Sequence, residues 1–111
     1  MVVYRCEDSL ESVFTAIYQA YEEKRNHGDT SLMLTDDALL FAEDIYIIPD
    51  TGKARKVINT LIRRFGQEDY LSICMALASY DVDKAQAVYR TVVDGLRAGR
   101  PAGHLFDNLA D

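Results

Sequence analysis

The sequence predicts an α+β fold, a small two-stranded β element packed on about four helices. Three observations predict it. Residues 2–6 and 45–48 are short runs of β-branched and aromatic residues with strand composition. Apolar residues recur at helical period through 10–21, 54–65 and 85–96. Cap and turn chemistry separates these stretches, with glycines placed where helices should stop.

Val2, Val3, Tyr4, Arg5 and Cys6 form the first predicted strand. Asp8, followed three residues later by Glu11, has capping-box spacing, and Leu10, Val13, Phe14, Ile17, Tyr18 and Tyr21 make the apolar stripe of the first helix. The charged run from Glu22 to Arg25, then Asn26, His27 and Gly28, supplies its stop, with Gly28 or Asn26 in the left-handed position. Between Gly28 and Asp44 the pattern is weak and reads as a connection with little regular structure. Ile45, Tyr46, Ile47 and Ile48 form the second strand, apolar throughout as a strand covered on both faces would be, and ended by Pro49. The polarity of the strand pair stays open.

Asp50 or Thr51 caps a second helix with Ala54, Val57, Ile58, Leu61, Ile62 and Phe65 on its buried side, ending at Gly66. Residues 67–80 form a third helix, apolar nearly all round through Leu71, Ile73, Cys74, Met75, Ala76, Leu77 and Ala78, and so expected at the centre of the core. Asp81 or Asp83 caps a fourth, with Ala85, Val88, Tyr89, Val92 and Leu96 on one face, ending near Gly99 before Pro101. The tail to Asp111 reads as irregular.

With 111 residues, 49% hydrophobic and 27% charged, the chain fits one domain. No apolar run approaches the ~20 residues of a membrane-spanning helix, and the N-terminus lacks the pattern of a secretion signal, so the expected location is the cytoplasm. Cys6 and Cys74 are too few for a disulfide scaffold and lack metal-site spacing. The net charge is −6, but unevenly spread: residues 1–50 hold 3 basic and 11 acidic residues, and 51–111 hold 9 basic and 7 acidic. Such a balance argues against a surface given over entirely to nucleic acid, while leaving room for a charged partner.

No catalytic constellation emerges. His27 and His104 lie in segments that read as exposed loops, and the cysteines read as small buried hydrophobes. Asp36-Asp37 and Glu43-Asp44 are carboxylate pairs without a calcium-loop or phosphate motif around them, so no metal and no cofactor are expected. Asp50-Thr51-Gly52-Lys53 lacks the glycines of a nucleotide loop, and the turn from Gly99 to His104 reads as a helix terminus. The surface feature to carry forward is on the second helix. At 100° per residue, Lys53, Lys56, Thr60, Arg63 and Arg64 fall on one flank in a band about 100° wide. Such a band can track phosphates, making Lys53, Lys56, Arg63 and Arg64 the candidate nucleic-acid contacts; the plainer reading is a solvated face or pairing with the acidic half.

Several segments in order carry a family resemblance. They are residues 3–11 with 15–21, Leu40-Phe41, residues 50–57, Ala78-Ser79-Tyr80-Asp81, Tyr89-Arg90, and residues 95–99. Together they resemble the N-terminal region of the bacterial "probable DNA metabolism protein" family. The resemblance implies an accessory role in DNA metabolism or repair beside a radical SAM protein as partner; direct DNA contact is the expectation carried by the basic band. It also implies that residues 1–111 are the N-terminal part of a longer protein. The matched positions are mostly strand, cap and core residues, and no catalytic residue comes with them. Two other expectations are an enzyme fragment completed by a C-terminal region, which requires Arg97, Arg100 and His104 to converge in a cleft, and a self-associating module.

Overall fold

The computed structural model of the chain describes residues 1–99. The fold is mixed α and β. In chain order it runs β1 (Val2–Arg5), α1 (Leu10–Glu22), a 3-10 turn (His27–Asp29), β2 (Thr30–Met33), β3 (Glu43–Tyr46), α2 (Thr51–Leu77) and α3 (Lys84–Gly99). Among the described residues the sheet has three strands rather than two, in the order β2-β1-β3, and both pairings are parallel. Tyr4 lies between Leu32 and Ile45, and Arg5 between Met33 and Tyr46.

The strand missed by the sequence is β2. Thr30 and Ser31 are turn formers in isolation, yet here Thr30 and Leu32 turn inward to the core, and the Thr30 hydroxyl donates to the Asn26 carbonyl at 2.7 Å. Tertiary pairing with β1 overrides the local propensity. β3 begins before the expected residues 45–48 and is not covered on both faces: Ile47 is buried and Ile45 half-buried, while Tyr46 and Ile48 are exposed.

Among the described residues three α-helices stand where about four were expected: the second and third predicted helices meet within Thr51–Leu77 at a kink at Gly66, whose φ of 87° and ψ of 162° suit only glycine. The centre of the core also differs from expectation. From Ser12 to Tyr18 every residue of α1 is buried, whereas after Gly66 only Ile73 and Leu77 of α2 are, with Leu71 and Met75 in solvent. α1 holds this place because it follows β1 directly as a crossover helix, lying against the sheet on one side and α2 on the other. Tyr4, Phe14, Ile17, Leu32, Leu61, Tyr89, Val92 and Leu96 are the large, fully enclosed side chains of the resulting core.

The caps explain where α1 begins and ends. Its N-cap is Ser9 rather than Asp8: Ser9 Oγ accepts from the Ser12 amide at 3.1 Å, and Ser12 Oγ accepts from the Glu7 amide at 2.8 Å. Asp8 instead pairs with the buried Lys84 Nζ at 2.8 Å. At the other end Lys24, not Asn26 or Gly28, takes the left-handed conformation, with φ 54°. Its amide donates to the Tyr21 carbonyl and that of Arg25 to the Ala20 carbonyl, both at 3.0 Å, which is the Schellman pattern. Asp50 caps α2 through Oδ1 to the Lys53 amide at 2.9 Å, and its own amide donates to Thr15 Oγ1 at 3.0 Å, tying the start of α2 to α1.

Because β3 runs parallel to β2 on the far side of β1, the connector 34–42 must return across β1 to the opening edge of the sheet. Arg5 points to the face opposite the core residue Tyr4 and holds this connector there, donating to the carbonyls of Thr35 at 2.8 Å and Asp37 at 2.7 Å.

Candidate functional site

The α2 band is built from a helix face that the fold uses twice. Thr60, at the middle of the band, is fully buried, so this flank turns toward the packed interior. Lys53 and Lys56 place their ammonium groups 5.8 and 5.7 Å from the centre of the Tyr18 ring on α1, and Lys53 also lies 3.7 Å from Glu22 Oε1. Each such cation over an aromatic face contributes about 0.5–1 kcal/mol. Two turns further on, Arg63 is exposed and Arg64 is half-buried, its Nη1 enclosed without a hydrogen-bond partner among the described residues. The structure therefore divides the four candidates into a lysine pair engaged with Tyr18 and an arginine pair beyond it. Arg63 is exposed, whereas the other three are half-buried.

His27 is not an exposed loop residue. It is half-buried between Tyr21, with ring centres 4.4 Å apart, and Tyr89, whose hydroxyl is hydrogen-bonded to Nδ1. Burial, with Arg97 and Arg90 nearby, holds its pKa below the ordinary value. Burial likewise pushes the Tyr89 hydroxyl well up. Beside it, the Tyr4 hydroxyl donates to Glu23, while Arg25 Nε donates to Tyr4 Oη and to Glu23 Oε1, both at 3.1 Å. Together these groups clamp the end of α1 and the turn that follows it to β1 and α3. Cys6 is buried and its thiol is pushed up to about 12 by burial, which keeps it protonated and inert. Arg97 is exposed at the end of α3, and Arg100 and His104 lie outside the described residues.

Each carboxylate pair supplies one group to the Arg5 guanidinium. Asp44 Oδ1 accepts from Arg5 Nε at 2.9 Å, and Asp37 contributes its backbone carbonyl to the same guanidinium. Among the described residues no group of three or more His, Cys, Asp or Glu side chains could hold a metal ion. Nor is any described helix long and apolar enough to cross a membrane.

Two surface features went unread in the sequence. A groove of about 410 Å³ runs between the second half of α2 and α3, lined by Phe65, Asp69, Ile73, Val88, Thr91 and Gly95 among others. More telling is the edge at β3, where Leu40 is 88% exposed, Phe41 97%, Tyr46 72% and Ile48 83%. Its sequence signal is the stretch 28–52, which carries six carboxylates and no Lys or Arg. Comparison of the chain with family models, curated proteins and solved structures finds no match.

Proposed function

We propose that this chain is a non-catalytic accessory module of bacterial DNA metabolism or repair, working in the cytoplasm through a protein partner of the radical SAM type. The biological setting rests on the family resemblance. The single observation that supports action through a partner is the apolar edge at Leu40, Phe41, Tyr46 and Ile48, held open to solvent beside a parallel sheet. Parallel sheets are ordinarily covered on both faces, and exposed apolar side chains grouped on one side are the mark of a docking surface. Direct DNA contact is the second part of the reading, carried by Lys53, Lys56, Arg63 and Arg64, with Arg63 the most accessible.

Co-purification of the full-length protein from its native bacterium tests the partner. Recovery of a radical SAM protein in stoichiometric amount is the expected result, and its consistent absence overturns that part. For DNA, binding that weakens steeply with salt and loses one phosphate contact in Arg63→Ala supports the contact; no binding at low salt removes it.

A further inference from the structure

We infer that the outer edge of β3 takes up an extended, basic segment of the partner protein as a fourth strand. This deepens the docking reading above and rests on it.

The backbone presents the edge. The Glu43 amide donates to the Met1 carbonyl and the Ile47 amide to the Arg5 carbonyl, both at 2.9 Å, so these alternate residues spend their hydrogen bonds on β1. By the alternation of a strand, the N–H and C=O groups of Asp44 and Tyr46 point the other way, to the side where no further strand stands among the described residues. A peptide added there satisfies these groups, and its side chains alternate between the two faces.

The side chains then select the occupant. Tyr46 and Ile48 stand on the same face as Asp44, opposite the core-facing Ile45 and Ile47, and offer apolar area to one face of an incoming strand. Leu40 and Phe41, also exposed, stand just before β3 in the chain, with Phe41 at φ 63°. In sequence these residues are flanked by Asp36, Asp37, Glu43 and Asp50, all exposed, within a stretch without Lys or Arg. Arg5, on the neighbouring strand β1, is buried and already paired with Asp44. A second copy of this chain would bring Glu43 and its acidic neighbours against like charges, which disfavours edge-to-edge pairing. A nucleic acid strand meets the same repulsion. A segment alternating apolar residues with Lys or Arg meets complementary charge at the acidic start of the edge and apolar area beyond it.

The test uses two eight-residue probes, one alternating Lys with Val and one alternating Glu with Val, titrated into the full-length protein with amide chemical shifts followed by NMR. The Lys–Val peptide is expected to bind at least about tenfold tighter than the Glu–Val peptide, with the largest shifts at residues 43–48. The double variant Asp36→Lys, Glu43→Lys should reverse that preference, and Tyr46→Lys should weaken the Lys–Val peptide about tenfold; a dispersed amide spectrum checks that each variant is folded. Equal binding of both peptides, no binding of either below about 1 mM, or shifts confined to the groove between α2 and α3 overturns the inference. So does a dimer at micromolar concentration whose formation perturbs residues 43–48, which would give the edge to a second copy. If wild type recovers no radical SAM protein but the peptide results hold, the named partner is wrong and the edge stands. If Tyr46→Lys still recovers it at wild-type level, the partner stands and the edge does not.

Discussion

Arg5 and Asp44 meet across the sheet, Nε to Oδ1 at 2.9 Å, although 39 residues separate them in sequence. The guanidinium is buried and also donates to the Thr35 and Asp37 carbonyls, so one side chain ties β1 to β3 and to the connector between β2 and β3. Arg5→Met keeps the apolar stem but leaves a carboxylate and two carbonyls without their donor. The expected loss is about 2–3 kcal/mol, below that of a fully buried pair because Asp44 is partly solvated. Urea unfolding checks it, and the connector 34–42 should show the largest rise in amide exchange.

Two glycines are needed for different reasons. At Gly66 a Cβ would meet nothing within 4 Å, but φ is +87°, so Gly66→Ala costs about 1–2 kcal/mol through the backbone alone. At Gly95 a Cβ would lie 2.7 Å from Phe65 Cζ, so Gly95→Ala must displace that ring, at about 1 kcal/mol. A double-mutant cycle separates them: Phe65→Ala should relieve Gly95→Ala by at least about 0.5 kcal/mol and leave Gly66→Ala unchanged.

Lys24 occupies the left-handed position of the motif that ends α1, at φ 54°. Lys24→Gly should stabilise the protein by about 1 kcal/mol, since the strain of a side chain there exceeds the extra chain entropy of glycine. A higher midpoint in urea with unchanged slope is the expected readout.

His27 makes stability depend on pH. Its folded pKa lies below the ordinary 6.5, first through burial and then through Arg97 and Arg90, so the unfolded chain binds a proton that the folded protein resists. The contribution is fully present above pH 6.5 and is lost as pH falls from 6.5 through the folded value. Urea midpoints measured between pH 5 and pH 8 should fall on acidification in wild type, and His27→Gln should flatten that slope near 6.5.

Much of the fold is legible in the residues themselves. The stripe Val13, Phe14, Ile17 and Tyr18 marks α1, Asp50 caps α2, and Gly66 marks a break because only glycine tolerates the backbone needed there. Local signals suffice where periodicity, caps and conformational limits act within a few residues. Thr30–Met33 carries no such signal, and pairing with β1 makes it a strand. The apolar run of residues 67–78 has no side marked for burial, and only the packing against α3 selects Ile73 and Leu77 over Leu71 and Met75. The basic band was likewise legible as a spacing, but its accessibility depended on which flank of α2 faces α1, and Thr60 shows that its centre faces inward. The sequence by itself determined the helical stretches, the Asp50 cap, the break at Gly66 and the charge asymmetry of the two halves, all set by near neighbours. Strand order, the parallel register, the core position of α1 and the open edge at Tyr46 and Ile48 were decided by tertiary structure, because burial depends on which surfaces meet across distant parts of the chain.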